Sequence, residues 1–466
     1  MRDYRALEVA AARARAFLDG LPTRPVGRPA DVHGLRQRLG GPLPDVGEDP
    51  SAVIDALAAG TDLGIVASAG PRYFGFVVGG SLPAALAADW LTGAWDQNAA
   101  LHVLSPGASV VEEVAARWLL DLLGLPADAS IGFVTGVTMA NFTGLAAARH
   151  EVLRRAGWDV EAHGLQGAPP VTVVVGEEAH ATLFAALRFL GLGEQRAIRV
   201  PADGEGRMQP SALAAALARL DGPTIVCAQA GNVNSGAFDP FEEIAEAAHR
   251  HAAWLHVDGA FGLWAAAAPT LRHLVAGSAQ ADSWALDAHK WLNVPYDCGI
   301  AATAHPEAHY AATRKYAPYL VRAPEAARDP SDWTPETSRR AHGFTVYAAL
   351  RGLGRQGVAE LIARSCAQAR ELAAGLSAEP GVKILNDVVL NQVLVRFHPP
   401  GGGDADELTR RVTARVQQDG TCWAGGTVWH GMAAMRLSVS GWSTTDDDIV
   451  RSAEAILAAF RAEARA

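Results

Sequence analysis

Lys290 is the residue of this sequence whose type and surroundings best fit covalent chemistry. It follows the strand-like segment 281–287 in a stretch rich in apolar and aromatic residues, and it is one of three lysines among 40 lysines and arginines. An arginine cannot replace it in forming an imine, because the guanidinium stays protonated. Partial desolvation lowers the pKa of a lysine and so frees the amine for attack on an aldehyde. We therefore predict that Lys290 carries an aldehyde cofactor as an imine, the alternative being a surface lysine whose methylenes cover tryptophans.

A second candidate is Asp258, which follows the strand-like segment 254–257 and precedes Lys290 by 32 residues. A carboxylate there would pair with the protonated nitrogen of a pyridine ring and keep that ring cationic, so that it accepts electrons from a substrate. Ala260 is small enough for a flat ring to lie against it. The structural alternative is that Asp258 caps the start of a helix, where aspartate is common.

The segment Thr135-Gly136-Val137-Thr138 lies between a predicted strand and a predicted helix. The free N–H groups and the positive dipole at the start of a helix bind phosphate, and the two threonine hydroxyls add donors. The segment matches neither the G-x-G-x-x-G fingerprint nor the P-loop. It therefore predicts a phosphate turn, with an ordinary strand–turn–helix connection as the alternative.

Two further strand ends carry polar side chains. His180 opens a helix after the strand-like segment 171–175, where an imidazole can stack on a planar cofactor and transfer a proton. Asn232 follows the segment 224–228 in the run GNVNSGAFDP. A histidine near a helix start is more often structural when it is isolated, but the set as a whole supplies a phosphate turn, a stacking ring, an acid and an amine. That combination predicts pyridoxal 5′-phosphate (PLP) as the cofactor.

These residues are positioned by a regular alternation of strands and helices between residues 130 and 302. The strands are short, unbroken and rich in β-branched residues, as strands buried on both faces are. Such alternation predicts an α/β fold with a mainly parallel sheet covered by helices, and ligands bind these sheets at the carboxyl ends of the strands. The predicted strands include 171–175, 224–228 and 254–257, and the helices between them are 181–190, 211–220 and 241–252.

The domain organisation is predicted in three parts. Residues 1–64 form an N-terminal helical segment and an irregular connector, residues 65–335 a large PLP-binding domain, and residues 336–466 a long helix and a small α+β C-terminal domain. Helical periodicity also marks residues 51–125. The C-terminal part is predicted from a helix at 335–378, strands at 381–397 and 435–440, and a helix at 404–419.

Composition disfavours several classes of function. A formal net charge of −10 argues against a broad surface for nucleic acid or anionic membrane. No apolar run reaches the about 18 residues of a membrane span, and residues 1–20 lack the continuous apolar region of a signal peptide. The four cysteines are far apart and form neither a disulfide framework nor a metal site. We predict a cytoplasmic protein with no metal and with no nucleic-acid or membrane partner.

Taken in order, these motifs resemble the group II PLP-dependent amino-acid decarboxylases over residues 65–460. The series is specific because the motifs occur in the order of the family. The phosphate turn departs from the family pattern, with Val137 in place of a glycine and Met139 in place of a glutamate. The matching motifs are Pro-Arg-Tyr-Phe-Gly-Phe at 71–76, Ser-Pro at 105–106 leading into Glu112 and Trp118, the turn at 135–138, His180, Asp-Gly-Ala at 258–260, Asp-Ala-His-Lys at 287–290, Ser-Arg-Arg at 338–340 and Thr-Thr at 444–445.

The resemblance implies the fold-type I PLP architecture, working on a small amino-acid substrate as a homodimer with active sites at the subunit interface. It implies that Lys290 forms the imine, that Asp258 pairs with the pyridine nitrogen and that His180 stacks on the ring, so these three are the expected catalytic residues. The remaining cofactor contacts that it implies are Ala260, Asn232, Asp287, His289, Thr135, Gly136, Val137 and Thr138.

One expected residue is not found. In the mobile loop before the Ser-Arg-Arg motif, aromatic decarboxylases carry a tyrosine that returns a proton after carbon dioxide leaves. Our comparison places Pro330 near that position and finds no tyrosine in residues 328–333. Tyr316 and Tyr319 lie upstream, so either of them or His180 would donate the proton, or the carbanion has another fate.

The leading prediction is PLP-dependent decarboxylation of an L-amino acid, through an external aldimine and a quinonoid carbanion that the protonated ring stabilises. The missing loop tyrosine leaves open another PLP reaction on the same scaffold, namely that of a carbon–carbon lyase (aldolase), an aldehyde synthase or an aminotransferase. A third reading, a non-catalytic binding or scaffolding protein, is disfavoured by the intact Lys290 and Asp258. The side chain of the substrate is not predicted.

Overall fold

The structure is a computed structural model that describes residues 4–27, 30–320, 322 and 327–465. Within these residues, each helix is either too short or too polar to cross a membrane. The four cysteines are all buried free thiols.

The chain divides into two compact units. We call the one that contains every residue predicted to contact the cofactor the large unit, and the other the small unit. The three-part division predicted from the sequence, with boundaries after residues 64 and 335, stays a prediction. The large unit comprises residues 79–370 and 385–393, and the small unit comprises residues 1–78, 371–384 and 394–466.

Seven strands form the sheet of the large unit: β1 Ser130–Val134, β2 Thr172–Gly176, β3 Ile198–Val200, β4 Thr224–Gln229, β5 Trp254–Asp258, β6 Ser283–Asp287 and β7 Gly299–Thr303. Their order across the sheet is β1-β7-β6-β5-β4-β2-β3. The pairs from β6 to β3 are parallel, whereas β7 runs antiparallel to both β1 and β6. The predicted α/β fold with a mainly parallel sheet is thereby confirmed.

The register of these strands brings distant parts of the chain to one edge of the sheet. Asp258 at the end of β5 pairs with Ala285 of β6, and Asp287 at the end of β6 pairs with Gly299 of β7. Gly299 also pairs with Val134, the last residue of β1. Because β1 and β6 are both antiparallel to β7, they point the same way, and the carboxyl ends of β1, β5 and β6 meet at one edge.

Helices cover the strands and supply the segments that follow them. Helix α6 packs on β5, β6 and β7 and begins directly after the predicted phosphate turn. The α-helices of the described chain are α1 Arg5–Gly20, α2 Val32–Leu39, α3 Pro50–Thr61, α4 Pro83–Trp95, α5 Pro106–Leu123, α6 Val137–Arg155, α7 Val160–His163, α8 Ala181–Phe189, α9 Pro210–Leu217, α10 Phe241–Arg250, α11 Pro306–Thr313, α12 Gly343–Ser377, α13 Ala405–Asp419 and α14 Asp446–Glu463.

Several predicted helices differ from the observed ones. Helical periodicity was predicted over residues 51–125, but residues 65–82 and 96–105 contain no α-helix. The helix predicted at 335–378 begins later, as α12, and is interrupted at Gly354, whose φ of 63° lies outside the helical range. The connector predicted as irregular contains α2, which starts where the Asp31 side chain accepts a hydrogen bond from the backbone N–H of His33.

The small unit contains most of a second, four-stranded sheet. Its strands are β8 Val382–Ile384, β9 Gln392–Phe397, β10 Gly425–Trp429 and β11 Met432–Ser438, in the order β10-β11-β9-β8. The pairs β10–β11 and β8–β9 are antiparallel. The strand predicted at 381–397 is therefore two strands joined by a loop, and β10 was not predicted at all.

Candidate active site

The amine of Lys290 lies beside an acid. Its Nζ is 2.9 Å from Asp287 Oδ2, and the side chains of Lys290 and Asp287 are 17% and 1% exposed. His289 Nε2 is 3.5 Å from the same carboxylate oxygen. The backbone N–H of Cys298 donates to His289 Nδ1 at 3.1 Å, so the ring proton is on Nε2 and faces Asp287. Burial lowers the pKa of His289, which keeps the ring neutral near pH 7.

The predicted phosphate turn lies against this group. Gly136 precedes the first residue of α6, and a Cβ at that position would be 3.2 Å from His289 Cε1 and 3.6 Å from Asp287 Oδ1. Gly299 of β7 approaches so closely that a Cβ there would lie 2.5 Å from the Cα of Gly136. Since the first N–H groups of a helix have no partner within it, the start of α6 presents free donors beside Lys290. The structure therefore brings the turn at 135–138 together with Asp287, His289 and Lys290.

Asp258 is buried, and both of its carboxylate oxygens accept hydrogen bonds. Asn141 Nδ2 donates to Oδ2 at 3.0 Å, and the backbone N–H of Ala260 donates to Oδ1 at 3.2 Å. The next helical turn, Gly262–Ala267, is preceded by Phe261, so Asp258 is not the cap of that helix. Of the two readings of Asp258, the structure favours an acid held in place at a strand end.

Ala260 connects the two acids of the site. Its N–H donates to Asp258 as described, while its carbonyl oxygen accepts from the backbone N–H of Asp287 at 2.9 Å. Ala260 also packs with Val137 in one apolar cluster at the start of α6. A single small residue thus sets the spacing between the Asp258 end of the site and the Lys290 end.

His180 faces the same cavity as Asp258. The two residues line it together with Ala228 and Gln229 at the end of β4. His180 also precedes α8, where its Nδ1 accepts from the backbone N–H of Thr182 at 3.3 Å. The structural and the functional readings of His180 are therefore compatible, because the ring both caps a helix and lines the cavity.

Two residues predicted to contact the cofactor each have a buried polar atom without a hydrogen-bond partner in the described part of the chain. Asn232 is 1% exposed; its Oδ1 accepts from the backbone N–H groups of Asn234 and Ser235, while its Nδ2 has no hydrogen-bond partner among the described residues. Asp287 Oδ1 likewise has none within the described part of the chain. Buried polar groups are rarely left without partners in native proteins. These atoms, the free helix start and the amine of Lys290 fit a small ligand with a phosphate and an aldehyde.

Sequence reasoning found the strand-end residues but missed Asn141. This residue lies on α6 in the run MAN, is fully buried and contacts Asp258 directly. The available signal was an amide among apolar residues of a helix that packs on the sheet. The cofactor contacts predicted for Thr135, Val137, Thr138, Asn232 and the other site residues stay predictions.

One mainly parallel sheet thus carries a helix-start turn, a buried acid, a histidine and a lysine at its carboxyl edge, which defines the fold-type I class of PLP-dependent enzymes. The model of the pyridoxal-dependent decarboxylase conserved domain matches residues 34–398, and the chain belongs to this family. The family confirms the cofactor predicted from the sequence, PLP.

Known proteins that are named for different substrates resemble this chain. It is 30% identical to the acidic amino acid decarboxylase GADL1 of Mus musculus, over 72% of this chain but only 62% of that protein. It is also 30% identical to the L-2,4-diaminobutyrate decarboxylase of Rhizobium meliloti, over 80% of this chain and 74% of that protein. Among solved structures, the TDC of Oryza sativa with PLP and tryptamine superposes with a TM-score of 0.91 at 24% identity, covering 98% and 97% of the two chains.

Proposed function

We propose that this chain removes the α-carboxylate of an L-amino acid as carbon dioxide, using PLP, and releases the amine. The observation that carries this proposal is the placement of Lys290 and Asp258 at neighbouring strand ends, linked through Ala260 and Asp287. Family membership supports the class of reaction. When bound, PLP supplies an aldehyde for the amine of Lys290 and a ring that takes up the electron pair left when carbon dioxide departs.

The residues of the chain then have separate tasks. Lys290 must lose a proton before it can attack, and Asp287 Oδ2, at 2.9 Å, is the acceptor within reach. The neutral His289 donates through Nε2 at the phosphate end. Asp258 holds a proton on the ring nitrogen, because a buried carboxylate strongly favours a cation beside it. When PLP is bound, His180 would cover its ring, since the imidazole lines the same cavity as Asp258.

Similar proteins are named for acidic amino acids and for diaminobutyrate, whose side chains carry opposite charges. We expect purified, PLP-loaded protein to release carbon dioxide and one amine from a proteinogenic amino acid or from 2,4-diaminobutyrate, measured by gas evolution and mass spectrometry. If none of these compounds yields carbon dioxide or an amine, the proposal fails.

Tyr319 is our candidate for the residue that returns a proton to the substrate carbon. The segment predicted to match the family loop tyrosine is anchored, since Asp329 accepts from the backbone N–H of His102 and Ser331 donates to the carbonyl of Ala100. Tyr319 is 81% exposed and lies outside that anchored segment. Its hydroxyl is therefore exposed, whereas residues 328–333 contain no phenol hydroxyl.

Tyr319→Phe should shift the product from the amine toward the aldehyde and ammonia, with uptake of dioxygen. The physical reason is that slow protonation leaves the substrate carbon open to oxidation. The matched control is Tyr316→Phe, because the Tyr316 ring is 71% exposed but is held under the guanidinium of Arg314 at 4.5 Å. The measurements are the ratio of amine to aldehyde among the products and the uptake of dioxygen at an oxygen electrode. Equal ratios in Tyr319→Phe and the parent would exclude Tyr319 as the proton donor. An aldehyde product in the parent itself would favour the aldehyde-synthase alternative.

We also propose that the protein is a cytoplasmic homodimer. Apolar side chains of the large unit are exposed along α4 and just after it, including Trp90, Trp95 and Leu104, which are 47%, 50% and 52% exposed. Exposed aromatic residues in one helix are typical of an interface. Light scattering should give twice the chain mass of 48.8 kDa, and Trp95→Glu should lower it. Phe189→Glu, at an exposed aromatic residue on α8, is the control and should leave the mass unchanged.

A further inference from the structure

Behind Asp258 lies a chain of buried polar side chains that the proposed mechanism does not use. Asn141, Trp254, His256 and Ser283 have no exposed surface. Starting at Asp258, Asn141 Nδ2 is 3.0 Å from Oδ2, Asn141 Oδ1 is 2.9 Å from His256 Nε2, and His256 Nδ1 is 2.8 Å from Ser283 Oγ. Trp254 Nε1 completes the chain at 2.8 Å from the same hydroxyl.

The chemistry at the two ends determines the direction of every hydrogen bond in this chain. The amide of Asn141 must donate to the carboxylate of Asp258, because the opposite orientation would set two oxygens against each other. Asn141 Oδ1 then accepts from His256, which puts the ring proton on Nε2 and leaves Nδ1 of the neutral ring as an acceptor. Ser283 Oγ therefore donates to His256 Nδ1 and accepts from the indole of Trp254, which can only donate.

We propose that Asn141, His256, Ser283 and Trp254 are positioning residues that hold Asp258 as an oriented carboxylate for the cofactor nitrogen. This inference rests on the proposed function. Four hydrogen bonds all point toward Oδ2, so their dipoles add at the carboxylate and fix the position of that oxygen. The backbone N–H of Ala260 orients the other oxygen. The acid is thereby held in one geometry by neutral donors, and it forms no ion pair among the described residues.

The chain keeps this polarity over a wide range of pH. Burial lowers the pKa of His256 to about 4, against a smaller opposing effect of the Asp258 charge. The groups that face the imidazole are Asn141 on α6, Ser283 on β6 and the Asp258 carboxylate, and Asp258 is the only titratable one of these three. His256 therefore stays neutral between pH 5 and 8 and continues to donate through Nε2. Gly144 leaves the space for the ring, since a Cβ there would be 2.9 Å from His256 Cε1.

A purely structural role of His256 and the proposed positioning role can be distinguished by two substitutions. Gln and Met have nearly the same length and volume, so His256→Gln and His256→Met should perturb packing to a similar extent. Only Gln has an N–H group that can donate to Asn141 Oδ1. We expect His256→Met to weaken PLP binding by roughly tenfold to a hundredfold, because Asn141 loses the donor that orients it toward the Asp258 carboxylate. The dissociation constant of His256→Gln should stay within about threefold of that of the parent.

The binding experiment also includes Asn141→Leu, which keeps the branched shape but removes both the donor and the acceptor. Its matched control is Thr143→Val, which removes a buried hydroxyl from the same helix; among the described residues this hydroxyl bonds only the carbonyl of Met139. We expect Asn141→Leu to weaken PLP binding as much as His256→Met does, and Thr143→Val to leave it unchanged. Equal dissociation constants for His256→Gln and His256→Met, or for Asn141→Leu and Thr143→Val, would overturn the proposal.

A second measurement does not depend on activity. Nitrogen-15 NMR of the cofactor-free parent, labelled at its 15 histidines, should show that the ring of His256 is neutral with the proton on Nε2 from pH 5 to 8. His256→Gln identifies the signal by its loss. A charged ring, or a proton on Nδ1, refutes the direction of the chain. These results do not depend on the reaction, so a protein that binds PLP as described but decarboxylates no amino acid would overturn only the proposed function.

Discussion

Lys290→Ala is expected to lower the rate of decarboxylation by on the order of a thousandfold or more. In the proposed function this amine bonds to the cofactor aldehyde, whereas Lys315 donates to the carbonyls of Ser331 and Thr334 and Lys383 lies on β8. Borohydride reduction followed by mass spectrometry should show the cofactor attached to the parent and absent from the variant. A reducible adduct of the same stoichiometry in Lys290→Ala would refute the assignment.

The variant also removes the partner of Asp287, and this needs a control. Asp287 is 1% exposed, and breaking a buried ion pair from one side destabilises a fold by about 3–5 kcal/mol. Lys290→Arg keeps a cation opposite Asp287 but cannot form an imine. We therefore expect both variants to be equally inactive, with Lys290→Arg the more stable of the two in urea denaturation. If the more stable Lys290→Arg were also clearly more active than Lys290→Ala, the role of Lys290 would be to stabilise the fold and not to bond to the cofactor.

Asp258→Ala should lower the rate at least about a hundredfold and weaken PLP binding, because a preorganised charge opposite the ring nitrogen is lost. A PLP analogue methylated on that nitrogen carries a permanent positive charge and needs no acid to maintain it. It also fills the space that alanine leaves. The analogue should therefore restore part of the activity of Asp258→Ala.

The parent protein supplies the control for this experiment. Asp258 is held in place by Asn141 and Ala260, so a methyl group on the nitrogen would collide with it. The analogue should accordingly be worse than PLP in the parent and better than PLP in the variant, as measured by initial rates and by dissociation constants. If Asp258→Ala with ordinary PLP matches the parent, the carboxylate does not act on the ring nitrogen.

The positions of the site residues were predictable because they follow from local sequence. Lys290, Asp258 and the turn at 135–138 each come directly after a buried strand, and parallel strands bring such ends together. That these residues lie near one another was also predictable, because the alternation of strands and helices indicates a parallel sheet. The rule that ligand-binding residues follow the carboxyl ends of parallel strands applies to each strand separately, so it does not require knowledge of which strands are neighbours.

Other features depend on partners that are distant in sequence. Asn141 is separated from His256 by 115 residues and from Asp258 by 117, so its role cannot be inferred from α6 alone. The strand β7 has the sequence GIAAT, whose small residues have low β-propensity, and it forms because two strands flank it. The strand β10 starts with two glycines, which are more typical of a turn.

The position of β7 has a consequence for how the chain reaches its final form. Strands β1 and β6 do not touch, and β7 fills the gap between them. A polypeptide emerging from the ribosome therefore carries the turn at 135–138 and the lysine at 290 before it carries the strand that joins β1 to β6. Since pairings between distant residues form slowly, this edge of the sheet is completed only once residue 303 has been released. Until then, the packing of α6 on β5 and β6 is what can bring the glycine turn toward the lysine.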